Sequence, residues 1–172
     1  MWTCQAVLTL IICIFPMQAN AESSTPISTR HFRLNLPGVW DAVTTNDPTL
    51  FQYRAANSKE NISLTVLRYA ANSPDMNPQK SLEQFLEVRR KMENSAPSQG
   101  QVELTPVKYR AQGSGATGSY SGSQQASARR LLAFAIANKL GIVLFYYELL
   151  DATAAEFESR SRVVLGTVQL VE

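Results

Sequence analysis

The sequence is poor in the side chains that most often bind metals or perform nucleophilic catalysis. It contains one histidine, His31, and two cysteines, Cys4 and Cys13, both near the N-terminus. A zinc site needs several Cys or His ligands, and Cys–His or Ser–His catalysis needs a histidine beside its nucleophile. His31 has no second imidazole to act with, which is typical of a solvated residue at the start of a strand. We therefore predict no catalytic residue, no metal ligand and no bound cofactor.

Charge of either sign is also scarce. Charged side chains make up 17% of the chain, and 16 basic against 14 acidic residues leave a net charge of +2. An excess so small argues against nucleic acid and against an anionic membrane surface as partners. A hydrophobic content of 45% over 172 residues is enough for one domain with its own core.

The N-terminal segment has the pattern of a cleavable signal peptide. Residues 6–15 (AVLTLIICIF) form an apolar run of about ten residues, too short to span a bilayer. Pro16 ends this run, and Ala19 and Ala21 are the small residues that signal peptidase requires before Glu22. We therefore predict a signal peptide at residues 1–21, cleaved between Ala21 and Glu22.

Two other interpretations of this segment exist. Residues 1–5 contain no Lys or Arg, so an uncleaved amphipathic or buried N-terminal segment is the alternative to a signal peptide. A lipoprotein signal needs a small residue before its cysteine, but Ile12 precedes Cys13.

We expect no stable membrane anchor after cleavage. An exported chain without cysteines is typical of the bacterial periplasm.

Strand and helix patterns alternate in the remainder of the chain. Asn77 and Pro78 are typical of a helix start, and Thr153 with Glu156 forms the capping box of a second helix. Pro106 predicts an edge strand or a bulge. Residues 22–30 are interpreted as a polar leader and residues 31–172 as a single domain. Strands are predicted at residues 31–36, 50–55, 62–69, 102–110, 131–137 and 142–150.

The fold class follows from these patterns. Short loops between strands predict antiparallel pairing, and apolar runs in the last strands indicate burial on both faces. We predict an α/β (α+β) domain in which a mostly antiparallel sheet is sandwiched between two helices.

Residues 32–40 (FRLNLPGVW) resemble the F-x-[LI]-x-[LV]-P-x-x-W opening of the PsbP-like family, which includes the DcrB-like proteins. The order of elements after this motif is also similar. The resemblance implies an α/β/α sandwich whose members mostly bind other proteins and share no catalytic site. No functional residue of the family aligns with a particular position in this chain. The resemblance implies that Pro37 forms a turn and that Trp40 is a core residue.

One segment of the sequence formally matches a dinucleotide-binding motif. Residues 113–118 (GSGATG) fit the G-x-G-x-x-G pattern, but no helix follows and no acidic residue lies about twenty positions on, as a dinucleotide site requires. We interpret the match as a glycine-rich strand or loop. Glu83 and Glu87 share a helix face with basic neighbours and are interpreted as a solvated, salt-paired surface.

A partner surface is predicted in residues 112–127, the longest stretch of low hydrophobicity within the domain. Tyr120 would be its aromatic anchor, and Arg129 and Arg130 would meet carboxylates of the partner. The alternative is an edge hairpin without a binding role.

These observations favour a non-enzymatic periplasmic protein that binds another protein or serves as an accessory of the bacterial cell envelope. One alternative is an immunity protein that neutralises an exported toxin. An alternative of a different class is a carboxylate-based hydrolase, which a cluster of buried acids in a cleft would support.

Export makes the first testable prediction. The protein isolated from a bacterial periplasm should begin at Glu22, because Ala19 and Ala21 are the small residues that signal peptidase recognises before its cleavage site. Intact mass and N-terminal sequencing check this, and a mass that retains residues 1–21 would contradict it.

Overall fold

The computed structural model describes residues 23–29, 32–69, 77–95 and 101–170. The predicted signal peptide, its cleavage site at Ala21 and Glu22, and His31 lie outside these residues. Neither helix in the described ranges is both long enough and apolar enough to cross a membrane. The elements are β1 (Ser24–Ser28), β2 (Phe32–Pro37), β3 (Trp40–Val43), β4 (Leu50–Ala55), β5 (Glu60–Arg68), α1 (Pro78–Glu93), β6 (Glu103–Leu104), β7 (Lys108–Gln112), β8 (Gly115–Gln124), a 3-10 turn (Gln125–Ser127), β9 (Arg129–Ala137), β10 (Gly141–Leu149), α2 (Ala154–Gly166) and β11 (Gln169–Leu170).

Two sheets organise the described part of the chain. The larger has eight strands in the order β3-β4-β5-β10-β9-β8-β6, with β7 also paired to β8. The smaller has the order β1-β2-β11. The strand pairs recorded in both sheets are antiparallel, which confirms the expected sheet type. Pro106 separates β6 from β7, and both lie at the edge of the sheet, as its missing N–H predicts.

Both helices start where the sequence predicts. The Asn77 side chain accepts from the backbone N–H of Lys80, and Pro78 is the first residue of α1. The Thr153 and Glu156 side chains form the reciprocal capping box of α2. α1 covers one face of the large sheet over β8 and β9. The other face packs against α2 and the small sheet.

The small sheet corrects the predicted start of the domain. The polar leader contains β1, which pairs with β2 along its whole length, so part of residues 22–30 belongs to the domain. The layer that contains α2 also contains this three-stranded sheet. The sequence does not predict β1, β3 or β11. These strands are short, and their residues do not alternate between apolar and polar over a length that would indicate a strand.

Small residues bring α1 close to the large sheet. A Cβ atom added at Gly118 would lie 2.5 Å from Cδ1 of Leu86, so only glycine leaves room for that helix residue. Alanines on β9 continue the flat surface, and Leu82 and Leu86 of α1 are fully buried against it. The small residues on this face beneath the helix are Ala116, Gly118, Ala133, Ala135 and Ala137.

These contacts explain the glycine motif in structural terms. Gly113 has φ of +56° in the turn that joins β7 to β8, a conformation that side chains with a Cβ rarely adopt. Gly118 lies beneath α1, as described above. The interpretation of residues 113–118 as a glycine-rich strand and turn is confirmed.

The F-x-[LI]-x-[LV]-P-x-x-W motif joins the small sheet to the large one. The Phe32, Leu34 and Leu36 side chains are buried. The Pro37 carbonyl accepts from the Trp40 indole N–H at 3.0 Å and from Arg160 Nη2 at 3.2 Å. Trp40 is 5% exposed, so the turn and core positions implied for Pro37 and Trp40 are both observed.

A buried carboxylate connects this motif to α2. Glu60 is 2% exposed. Its Oε1 accepts from Tyr147 Oη at 2.8 Å and from Arg160 Nε at 2.6 Å, and its Oε2 accepts from Arg160 Nη2 at 3.1 Å. One arginine thus neutralises a carboxylate that has almost no contact with water.

Removing that arginine should destabilise the fold. Arg160→Met leaves the Glu60 carboxylate buried without a counter-charge, and we expect the free energy of unfolding to fall by about 3 kcal/mol. Arg162→Met is the matched control, since Arg162 is 77% exposed on the same helix and its loss should cost about 0.5 kcal/mol or less. Urea unfolding measures both, and equal losses would contradict the role given to Glu60.

Candidate functional site

An open groove lies between α1 and the part of the large sheet that α1 does not cover. Its volume is about 530 Å³. The floor comes from β3, β4, β5 and β10, and one wall comes from the C-terminal half of α1. We call it the α1 groove. Residues that line it include Val43, Gln52, Arg54, Asn61, Ser63, Arg89, Met92, Glu93, Arg129, Tyr146 and Glu148.

The sequence of the floor explains why this part of the face is open. Strand alternation and the recorded registers place Gln52, Arg54, Asn61 and Ser63 on the same face as α1. Their polar side chains offer a helix little apolar area to bury, whereas β8 and β9 offer small apolar residues. α1 therefore lies over β8 and β9, and the floor stays accessible.

A cluster of four polar side chains closes the deep end of the groove. Arg129 Nε donates to Glu148 Oε1 at 2.7 Å, and its Nη2 donates to the same oxygen and to Tyr146 Oη at 3.0 Å. Tyr146 Oη donates to Glu93 Oε2 at 2.8 Å. Arg129 Nη2 also lies 3.8 Å from Glu93 Oε2. The guanidinium therefore lies between two carboxylates, and the Glu93 side chain is 9% exposed.

Arg89 of α1 lies beside this cluster and is only partly satisfied. Its guanidinium carbon is 5.6 Å from the centre of the Tyr146 ring, a geometry that favours cation–π attraction. Its Nε is buried and has no hydrogen-bond acceptor among the described residues. A buried donor without an acceptor is unfavourable, so Arg89 contributes little to the stability of the isolated protein.

The rim of the groove is apolar. Val43 on the sheet side is 37% exposed, and Met92 on the helix side is 56% exposed. The groove thus combines a polar floor with exposed apolar side chains on both sides.

The structure corrects the predicted partner surface. Tyr120 is 2% exposed in β8 beneath α1, so its ring is a core residue and is not available as a surface anchor. Residues 115–124 form a regular strand, β8, which is paired on both sides within the large sheet. Arg130 points to the opposite face, where its Nε donates to the Ala152 carbonyl at 2.9 Å. Arg129 alone lines the groove, and it is already bonded to carboxylates.

The sequence patterns do not reveal the groove itself. Arg89 stands next to Arg90 and Lys91, a grouping typical of a solvated face, and Tyr146 lies in a run typical of core. One signal is present, because Glu148 interrupts the apolar run at residues 142–150. A charged residue in such a run indicates a buried partner of opposite charge, although the sequence does not say which one.

The arrangement is suited to binding more than to acid–base chemistry. A hydrolase that uses two carboxylates places them on either side of the reacting bond. Here the Arg129 guanidinium occupies the space between Glu93 and Glu148 and bonds to Glu148. Glu83 and Glu87 lie elsewhere on α1, where Glu87 is 4.0 Å from Arg90 and Glu83 accepts from Gln79 Nε2 at 2.9 Å.

Burial raises the pKa of all six tyrosines above the ordinary value of 10.0. For Tyr146 and Tyr120 the next cause is the negative charge of Glu93, and for Tyr147 it is that of Glu60. These hydroxyls stay protonated in the folded protein at neutral pH.

Comparisons with solved structures identify the architecture. The cyanobacterial PsbP (CyanoP) from Synechocystis sp. PCC 6803 matches with a TM-score of 0.63 and 15% identity, over 89% of this chain and 95% of that one. The Saccharomyces cerevisiae Ran-binding protein Mog1p matches with a TM-score of 0.55 and 11% identity, over 88% and 97%. No family model and no curated protein matches the sequence. At such identities the likeness shows the fold alone, and it confirms the architecture implied by residues 32–40.

Substitution of two arginines of the groove should change the stability of the fold to different extents. Arg129→Met leaves Glu93 and Glu148 without their shared cation, and we expect a loss of about 3 kcal/mol in the free energy of unfolding. Arg89→Met removes a buried donor that lacks an acceptor and keeps an apolar chain over Tyr146, so we expect a change within about 1 kcal/mol. Urea unfolding distinguishes the two, and an equally large loss for Arg89→Met would be contrary to this assignment.

The tyrosines make stability sensitive to alkaline pH. Their folded pKa values lie above the unfolded value, so the stability they contribute is complete below pH 10 and is lost as the pH rises further. Each tyrosine that ionises only on unfolding lowers stability by about 1.4 kcal/mol per pH unit in this range. Absorbance of tyrosinate should therefore increase together with loss of circular dichroism. Ionisation of all six tyrosines near pH 10 with the fold intact would contradict the prediction, because Tyr120, Tyr146 and Tyr147 are buried.

Proposed function

From the PsbP-like fold of this chain and the geometry of the α1 groove, we propose that it is a non-catalytic accessory protein of the bacterial cell envelope. It acts in the periplasm after removal of the signal peptide, and it binds another protein through the α1 groove.

The observation that carries the proposal is the composition of the groove. Val43 and Met92 expose apolar surface on opposite sides of a polar floor. Protein interfaces combine apolar anchors with a surrounding set of hydrogen-bonding groups. A rigid sheet and a closely packed helix hold these groups in place, so binding requires little ordering of the protein itself.

The placement of the charged groups supports a non-catalytic role. Both glutamates of the groove bond to or lie close to Arg129, and Glu93 also accepts from Tyr146. Neither carboxylate is left to pair with a substrate across an open gap. A carboxylate-based hydrolase is therefore the less favoured function.

The comparisons with solved structures support a binding role through the shared fold. Mog1p is described as a Ran-binding protein, which is a binding function on this fold. For this chain we propose protein binding of the same general kind, with a different partner and through the surface described above.

A cross-linking experiment tests the proposal. A photoreactive amino acid is placed at Met92 on the rim of the groove, and in the matched control at Val163. Val163 is 50% exposed on α2, on the opposite side of the large sheet. In cells that make the protein, irradiation should give a discrete adduct from position 92 and not from position 163, because only the first faces the proposed partner.

The two positions distinguish a specific interface from non-specific cross-linking. Mass spectrometry of the adduct identifies the partner. The same pattern of adducts from both positions, or no adduct from position 92, would overturn the proposed interface.

A further inference from the structure

The charges of the α1 groove are not balanced within it. Three arginines and two glutamates line it. Arg129 is bonded to Glu148 and lies close to Glu93, while Arg54 Nε donates to the neutral Asn61 side chain at 3.2 Å. The groove therefore has a net positive charge, which favours an anionic ligand.

Arg89 is the group best placed to bind that anion. Its guanidinium is held over the Tyr146 ring, so its orientation is fixed before a ligand arrives. Its buried Nε lacks an acceptor among the described residues. A carboxylate matches the planar donor edge of a guanidinium and would pair with the part of the Arg89 guanidinium that lines the groove.

The shape of the groove favours an extended peptide. The floor crosses β10, β5, β4 and β3, and neighbouring strands are about 4.8 Å apart. The floor is thus about 15 Å across, which is the length of four or five extended residues at about 3.3 Å each. Val43 and Met92 are exposed apolar residues on opposite sides of the groove, so apolar neighbours are expected on both sides of the acidic residue.

We propose that the α1 groove binds an extended segment of its protein partner in which an internal Asp or Glu, flanked by apolar residues, pairs with Arg89. This inference rests on the proposed function and specifies the chemistry of the partner.

A peptide-display experiment tests it before the partner is identified. A library of random seven-residue peptides displayed on phage is selected on the purified protein and, in parallel, on Arg89→Met. Peptides enriched by the unmodified protein should share an Asp or Glu with apolar neighbours. One such peptide is then synthesised with blocked termini, together with its Glu→Gln or Asp→Asn counterpart, so that no terminal carboxylate contributes.

A double-mutant cycle measures the pairing. Changing the acid to its amide should weaken binding to the unmodified protein about tenfold and have little effect on binding to Arg89→Met. Arg162→Met, on the other side of the molecule, should behave as the unmodified protein does. Added salt should reduce the difference between the two peptides.

Other results would overturn the inference and separate it from the proposed function. Peptides that block cross-linking at position 92 but show no acidic preference would keep the interface and reject the role of Arg89. An acid whose effect persists in Arg89→Met would also reject that role. If no peptide is enriched, the acidic-segment inference fails, while the cross-linking result decides the proposed function independently.

Discussion

The position of α1 depends on the small residues of β8 and β9, and much of the molecule's organisation follows from that contact. Gly118 and the alanines of β9 let Leu82 and Leu86 pack close to the backbone of the sheet. A larger side chain at Gly118 would overlap Leu86. The helix is thereby placed over one part of the face, and the polar residues of β4 and β5 remain accessible. The groove is thus a consequence of core packing.

Two arginine–glutamate–tyrosine clusters occupy opposite faces of the large sheet and differ in what they do. On the α2 side, Glu60, Arg160 and Tyr147 join the two sheets and α2, and the Pro37 carbonyl takes up a further donor of Arg160. On the α1 side, Arg129 holds Glu93 and Glu148 together at the end of an open groove. In the first, the carboxylate itself is buried beneath Arg160 and serves stability. The second lines an open groove and lies beside Arg89, whose Nε has no acceptor among the described residues, which is the arrangement expected of a binding surface.

Most of the fold was predictable from the sequence, and most of the site was not. Capping residues locate both helices, and alternation or apolar runs locate β2, β4, β5, β9 and β10, because each signal is local. β8 is the longest strand, but its Gly and Ser residues give only a weak signal. The strands β1, β3 and β11 are too short to give such a signal, and β11 is stabilised by the distant strand β2. The Gly and Ser neighbours of Tyr120 favour a surface position, yet those small residues are what allow a helix to cover it. The groove brings together residues of β3, β4, β5, α1, β9 and β10, and only the tertiary structure shows that they meet.

The small sheet places residues from the two ends of the described chain on either side of one strand. β2 pairs with β1 through Ser24–Ser28 and with β11 through Gln169 and Leu170. The second pairing closes a loop that contains nearly the whole domain, and contacts so distant in sequence slow folding because their loop entropy must be overcome first. A chain translated from its N-terminus cannot complete this sheet until β11 has been made.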